Sequence, residues 1–282
     1  MKVAAAQIFV TTSLATNLEK ILQTIQNTTD ADAEHVILFP ECALTGYDKH
    51  AVETQIDQVP AALEHIQQAC KASSTAAIVG TAKKNEQRNV VENVAVVIDN
   101  EGNYIGCQAK IQLVPTDNFC SVGQTLHTFK LYSIVCSIII CHDSRHPELV
   151  RLPVLSGARV IFYQSWETWH DDGPVPTDED GRHLKPYEAQ AVARAVENRV
   201  FLVHSNVAGV RDNSEQGSHG SSRIISPQGD ILQQAKIWGE ETVSCTIDPS
   251  SASALYAREA ENKNFFLHSW MMEGVNKVTS LN

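Results

Sequence analysis

The sequence predicts an α/β fold in a single domain. Short β-branched or apolar runs that suit buried strands alternate with segments whose apolar residues recur at helical spacing. No linker separates two such units, and 43% hydrophobic content in 282 residues suffices for one large core. Each half repeats the order strand, helix, strand and hairpin, which is compatible with an internal duplication.

In the N-terminal half, Thr16 and Glu19 form a capping box ahead of a helix whose apolar residues share one face. Turn residues over 99–102 reverse the chain, so the segment from Tyr104 is expected to pair antiparallel with the strand before it. The other elements predicted in this half are strands over 3–10, 36–39, 76–80 and 90–98 and a helix over 60–72.

In the C-terminal half, a buried strand over 135–140 stops at Cys141. Pro147 suits the first residue of a helix, and Pro153 should shorten or kink it. A loop over 164–185 precedes a helix opened by Pro186. The remaining predicted strands cover 159–163, 200–203, 222–225, 231–232 and 243–247.

Charge and cysteine usage exclude several classes of protein. The net charge of −11 argues against nucleic acid or an anionic membrane surface as partner. Seven cysteines, an odd number without a CxxC pair, indicate neither a disulfide framework nor a zinc knuckle. The first residues do not resemble a signal peptide, and no apolar run reaches the roughly 18 residues of a membrane span. We therefore expect a cytoplasmic protein.

Cys141 stands where a strand gives way to a helix, a position that exposes a side chain at the carboxyl end of a sheet. A helix N-terminus also favours a thiolate, because its free N–H groups stabilise negative charge. The alternative is that Cys141 is a small core residue.

Two further polar residues follow predicted strands, namely Glu41 and Lys110. Together with Cys141 they form a coherent chemical set, since a carboxylate can take a thiol proton and an ammonium can hold an oxyanion. Taken singly, glutamates and lysines such as Glu41 and Lys110 are more often solvated surface residues. The motifs GxSxG, GxxxxGK[ST], GxGxxG and HExxH are absent.

Five ordered segments resemble the signature segments of the nitrilase superfamily, the carbon–nitrogen hydrolases. They are FPECALTGY from Phe39, KIQL from Lys110, CHDSRHPE from Cys141, ARAVENR from Ala193 and GSSRIISPQG from Gly220. The likeness covers nearly the whole chain. It implies a four-layer αββα sandwich over residues 1–282, no cofactor, and dimers or larger assemblies.

The resemblance also implies a role for each matching residue. Glu41 matches the family's general base, Lys110 its oxyanion-stabilising lysine and Cys141 its nucleophile. The backbone N–H of His142 matches the second oxyanion donor. Trp166, ahead of the loop that should border the pocket mouth, joins the expected substrate-binding residues.

This chain departs from the family pattern in two places. Many members carry a second glutamate in the loop after the lysine, whereas this loop offers only Asp117 and Asn118. Asp117 is one methylene shorter and could substitute, and Asn118 could supply a neutral contact. Histidines replace a bulky aromatic at His142 and a phenylalanine at His146, which should reshape the pocket.

The resemblance implies hydrolysis of an amide or N-carbamoyl group through a cysteine thioester. The elbow Cys141-His142-Asp143 is closer to the Cys-aromatic-Asp pattern of amidases and carbamoyl hydrolases than to the Cys-Trp-Glu of nitrile hydrolases. Three alternatives remain: a nitrile hydrolase, an idle binding scaffold of the same fold, and a metal-dependent hydrolase using Cys141, His142 and His146.

Two other segments carry expectations. Acidic residues after Trp166 should form either a solvated loop or a negative rim that favours neutral or amine-bearing substrates over dicarboxylic amides. They are Glu167, Asp171, Asp172, Asp178, Glu179 and Asp180, against Arg182 and Lys185. The last ~30 residues are too apolar for a free tail. We expect them to pack on the domain or on a second subunit.

Overall fold

The computed structural model describes residues 1–28, 34–167, 185–209 and 218–282, with no side chains for 185–188. Its helices are α1 Leu14–Asn27, α2 Lys49–Gln55, α3 Val59–Ser73, α4 Glu148–Leu155, α5 Lys185–Val196, α6 Leu255–Arg258 and α7 His268–Val275. Its strands are β1 Lys2–Gln7, β2 His35–Leu38, β3 Thr75–Asn85, β4 Val90–Ile98, β5 Tyr104–Ala109, β6 Leu126–Leu131, β7 Ile134–Ile140, β8 Val160–Ser165, β9 Phe201–Asn206, β10 Arg223–Ile225, β11 Ile231–Gln234, β12 Glu241–Thr246 and β13 Val278–Ser280.

The strands form two mixed sheets that share one plan. The first has the order β12-β1-β2-β3-β4-β5 and the second the order β11-β10-β9-β8-β7-β6-β13. Three neighbouring parallel strands, β1 to β3 in one sheet and β7 to β9 in the other, form the middle of each. The hairpin predicted around residue 100 is present, since β4 pairs antiparallel with both β3 and β5.

The two sheets pack face to face and each carries helices on its outer face. Val3 of β1 and Ile138 of β7 belong to the apolar layer between the sheets. Ile21 of α1 packs on the outside of the first sheet, and Val150 of α4 on the outside of the second. These contacts give the order α, β, β, α. The expected four-layer α/β sandwich is therefore confirmed.

Two local predictions about helices have different outcomes. The cap of α1 is Ser13, whose hydroxyl accepts from the Thr16 N–H, so the predicted capping box at Thr16 is wrong. Glu19 instead accepts from Gln23 one turn later. Helix α4 has only eight residues and contains Pro153, in line with the prediction that this proline shortens it.

The C-terminal segment contributes to the fold. Strand β13 pairs in parallel with β6 at the edge of the second sheet, and the Leu281 N–H donates to the Thr128 carbonyl. Leu281 also contacts Gly106 of β5 in the other sheet. Within the described residues, we find no helix long and apolar enough to cross a membrane.

Candidate active site

Glu41 lies in the turn that follows β2, at the end of the parallel part of the first sheet. The backbone of this turn packs so closely on β3 that a Cβ on Gly80 would come within 2.1 Å of the Pro40 carbonyl oxygen and 2.8 Å of the Glu41 Cα. A side chain at position 80 would therefore displace Glu41. The Glu41 side chain is fully buried.

Lys110 follows β5 and lies between two buried carboxylates. Its Nζ is 2.7 Å from Glu41 Oε1 and 2.8 Å from Asp117 Oδ2. Burial alone would lower the pKa of Lys110, but the negative charges of Glu41 and Asp117 outweigh it and raise that pKa above its ordinary value. Lys110 is therefore a permanent cation, held where it can donate hydrogen bonds.

Further donors hold the two carboxylates. Asn93 Nδ2 donates to Glu41 Oε1 at 2.7 Å, and the Trp166 N–H donates to Oε2 of the same carboxylate at 2.9 Å. Asp117 accepts from the Tyr47 hydroxyl and, at 2.9 Å, from the Val114 N–H. Each carboxylate therefore has several hydrogen-bond partners, as a buried charge requires.

Cys141 occupies the turn after β7 in a strained backbone conformation. Its φ of 47° lies in the left-handed region that residues other than glycine seldom adopt. The turn is a five-residue 3-10 helix, and α4 begins only at Glu148. The predicted order of strand, polar turn and helix near Pro147 is therefore confirmed, and Cys141 lies in the turn rather than in the first turn of α4.

Opposing effects act on the pKa of the Cys141 thiol. Burial raises its pKa well above the ordinary value, and the negative charge of Glu41 adds to this. Lys110 and a hydrogen bond from the Trp166 backbone act in the opposite direction. The balance of these effects disfavours the thiolate, and Glu41 is the carboxylate whose charge acts most strongly on it.

Asp143 ties the cysteine turn to the lysine segment. Its carboxylate accepts from the Ile140 N–H at 3.0 Å and from the Ile111 and Gln112 N–H groups at 3.2 and 2.7 Å. Burial raises the pKa of Asp143 to about 7, against the effect of these bonds. Its contacts fix the residues next to Cys141 and next to Lys110 relative to each other.

The expected substrate-binding residues lie at different depths. Asp117 is buried against Lys110, whereas the neighbouring Asn118 is exposed and makes no hydrogen bond within the described residues. Trp166 is half-buried, with its ring 5.7 Å from that of Tyr47. His142 follows Cys141 in the same turn and is also half-buried. A direct substrate contact of Asn118, Trp166 or His142 stays a prediction.

Glu167 does not belong to an exposed acidic rim. It is 7% exposed, and its Oε2 lies 3.1 Å from His219 Nε2. The prediction that places Glu167 on the surface is therefore wrong, because a partner from a distant segment buries it. The other acidic residues of that loop, from Asp171 to Asp180, and Arg182 lie outside the described residues, as does the side chain of Lys185.

The pair His142 and His146 is present without a third metal ligand in the described residues. The two rings are 6.0 Å apart in an edge-on arrangement. Burial and the positive charge of Arg145 lower the pKa of His142. No group of three or more His, Cys, Asp or Glu side chains in the described ranges could hold a metal ion.

Sequence reasoning missed two residues that contact the carboxylates. Asn93 and the neighbouring Glu92 interrupt the apolar strand β4, and Asn93 reaches Glu41, so a buried polar residue in an apolar run was the available signal. Tyr47 lies in a signature segment but carried no assigned role, although its hydroxyl reaches both Asp117 and, at 3.3 Å, Lys110.

Comparisons with known proteins identify relatives of this chain and structures that share its fold. A hydrolase in the agr operon of Staphylococcus aureus is 28% identical over 77% of this chain and 79% of its own length. A 2-oxoglutaramate amidase of Bacillus subtilis is 27% identical over 71% of this chain and 73% of its own. A carbon-nitrogen hydrolase of Helicobacter pylori G27 superposes with a TM-score of 0.81 at 16% identity, covering 96% of this chain and 97% of that one.

The sequence model of one family matches almost the whole fold. Its description is carbon-nitrogen hydrolase, and the match covers residues 2–257, from β1 to α6. Solved amidases of the nitrilase superfamily share the fold, among them the amidase from Nesterenkonia sp. AN1, with a TM-score of 0.77 at 20% identity over 96% of this chain and 99% of that one. This protein belongs to the carbon–nitrogen hydrolase family.

Proposed function

We propose that this protein is an amidase-type hydrolase that cleaves the C–N bond of an amide or N-carbamoyl group through a thioester on Cys141. The observation that carries the proposal is Lys110, buried between Glu41 and Asp117, beside a cysteine at a strained elbow. A cation enclosed in this way has a use at a developing oxyanion, whereas an idle scaffold would gain nothing from burying three charges.

In the first half of the reaction, Glu41 takes the proton of the Cys141 thiol while the sulfur attacks the substrate's carbonyl carbon. Lys110 and the backbone N–H of His142 stabilise the tetrahedral oxyanion. Glu41, now protonated, donates to the leaving nitrogen, so ammonia or an amine departs and a thioester remains.

In the second half, water attacks the thioester carbonyl and Glu41 accepts the water's proton. The second tetrahedral intermediate collapses with cleavage of the C–S bond, and the proton held by Glu41 returns to the sulfur. Asp117 acts through Lys110, whose ammonium it orients. The cycle releases the acid and restores the thiol.

The relatives support this chemistry without naming the substrate. In the E41Q mutant of the Nesterenkonia amidase, acrylamide undergoes Michael addition at the active site cysteine. Among curated relatives, one is a 2-oxoglutaramate amidase and another a probable nitrilase of Schizosaccharomyces pombe, 25% identical over 85% of this chain. We propose amides or N-carbamoyl compounds as substrates, with neutral or amine-bearing ones preferred.

Ammonia release from a panel of amides, N-carbamoyl amines and nitriles tests the function, with wild type beside Cys141→Ala. We expect turnover of an amide or carbamoyl compound and a loss of about 10³-fold or more in the variant. Wild-type-like turnover in Cys141→Ala would refute the thioester. A faster reaction with nitriles would make nitriles the substrate class. Preference for an anionic amide at both low and high salt would refute the proposed preference for neutral or amine-bearing substrates.

We also propose that the protein forms a homo-oligomer through its C-terminal segment. Large apolar side chains there are exposed, with Phe266 at 96% and Trp270 at 52%. Contiguous exposed apolar side chains usually mark an interface. A second copy of this chain is the occupant we propose, because the resemblance to the nitrilase superfamily implies dimers or larger assemblies.

A further inference from the structure

A cluster of buried polar side chains lies next to Trp166 and takes no part in the chemistry proposed above. It is built from β8, β9 and the segment that precedes β10. Its buried members are Tyr163, Ser165, Glu167, His204, Asn206 and His219. Buried polar groups are costly unless each has partners, so a cluster of this size calls for an explanation.

Glu167 is the most tightly held member. Its N–H donates to Asn206 Oδ1 at 3.0 Å, and its carbonyl oxygen accepts from the His219 N–H at 3.4 Å. One carboxylate oxygen accepts from the Tyr163 hydroxyl, and the other lies 3.1 Å from His219 Nε2. Backbone and side chain are therefore both anchored, which leaves this residue little freedom.

Glu167 directly follows Trp166 in the chain, so anchoring Glu167 also fixes the C-terminal side of Trp166. The Trp166 N–H donates to Glu41 Oε2 at 2.9 Å, and the Trp166 backbone also lowers the pKa of the Cys141 thiol. This peptide group is therefore fixed against the proposed base and acts on the proposed nucleophile. Small shifts of such a group have large effects, since a misplacement of 1 Å can cost about 10²-fold in rate.

We infer that Glu167 and His219 form a positioning pair that holds the Trp166 N–H against Glu41 and Cys141. The inference rests on the proposed function, because it assigns the pair a role in placing that function's base and nucleophile. The pair itself touches neither the reacting atoms nor the substrate.

Two competing explanations predict different behaviour. The charge of Glu167 acts on Cys141 to disfavour the thiolate, so a mainly electrostatic role predicts a more reactive cysteine once that charge is removed. A merely structural role predicts lower stability with unchanged kcat in the folded protein. Positioning predicts a less reactive cysteine.

The variants are chosen to separate contact from charge. Glu167→Ala and His219→Ala each remove the pair. Glu167→Gln removes the charge, but its amide can still accept from His219 and donate to the Tyr163 hydroxyl. That hydroxyl can then donate to Ser144 Oγ, which is 3.1 Å away. Asn17→Ala is the control, because Asn17 is buried and hydrogen-bonded to the Thr11 and Leu44 carbonyls, away from this cluster.

Each variant is assayed for kcat and KM, melting temperature, and the rate at which iodoacetamide alkylates Cys141, read by mass spectrometry. In this reaction the sulfur displaces iodide from the CH2 carbon and the thiol proton is lost, so the rate reports how readily Cys141 is deprotonated and reached. We expect Glu167→Ala and His219→Ala to slow alkylation and kcat by about 10- to 100-fold with little change in KM. Glu167→Gln should recover most of the rate, and the double alanine variant should equal either single one.

Other outcomes overturn the inference. Faster alkylation in both Glu167→Gln and Glu167→Ala would assign the effect to charge. Unchanged kcat with a lowered melting temperature, as expected of Asn17→Ala, would make the pair structural. If Glu167→Ala does not fold, Glu167→Gln and His219→Ala decide, and wild-type alkylation in His219→Ala refutes positioning. Turnover by Cys141→Ala would instead refute the proposed function.

Discussion

Replacing Asp117 by asparagine should slow the enzyme, because it removes one of the two charges that hold Lys110. The side chain has four polar contacts: Lys110 Nζ at 2.8 Å, the Val114 N–H at 2.9 Å, Asn93 Nδ2 at 3.4 Å and the Tyr47 hydroxyl. All four partners are donors. An asparagine keeps the volume, but its Nδ2 is itself a donor and must face at least one of them.

The magnitude follows from the bonds that are lost. A hydrogen bond to a charged group contributes about 1.5–3 kcal/mol. A tenfold change in rate corresponds to about 1.4 kcal/mol, so a loss of that size, placed on the transition state, lowers kcat/KM by about 10- to 150-fold. KM should change little, since Asp117 acts through Lys110 on the oxyanion and not on the bound substrate.

The assay is kcat and KM on the best amide of the panel, with a thermal melt to establish that the variant is folded. Asn118→Ala is the matched control, because Asn118 is the next residue and is exposed. Its kcat/KM should stay within about twofold of wild type, as is usual for surface substitutions. Equal losses in the two variants, or none in Asp117→Asn, would refute the role of a second carboxylate.

Two further results are expected. Lys110→Ala should lower kcat by about 10²- to 10³-fold, the usual effect of losing an oxyanion donor. Lys110→Arg should not restore kcat, because a planar guanidinium cannot replace a point charge. Good activity in the arginine variant would show that Lys110 does not stabilise the oxyanion. Phe266→Ser should dissociate the oligomer in light scattering, whereas Val122→Ser, an exposed apolar control, should not; a monomeric wild type would refute this interface.

Local signals in the sequence were enough to predict the fold and the cysteine turn. A buried strand that ends at Cys141 predicts an exposed side chain at a sheet end, whatever the length of the turn that follows. Pro147 marks where α4 begins, but nothing in the sequence indicates that the five residues from Cys141 to Arg145 form a 3-10 helix. The resemblance, not the spacing, assigned the roles of Glu41 and Lys110.

Contacts between distant segments could not be predicted in the same way. Asn93 is 52 positions from the carboxylate that it donates to, and Tyr47 is 70 positions from Asp117. Glu167 was placed on the surface because only its charge was visible. Its burial depends on His219, which meets it through the tertiary fold alone.

The raised pKa of the Cys141 thiol has a consequence for oxidation. Peroxides and disulfides react with thiolates, and burial together with the charge of Glu41 disfavours the thiolate of Cys141. In the proposed mechanism the proton leaves as a carbonyl compound accepts the sulfur's electrons and Glu41 accepts the proton. We therefore expect Cys141 to react readily with acyl compounds and slowly with oxidants.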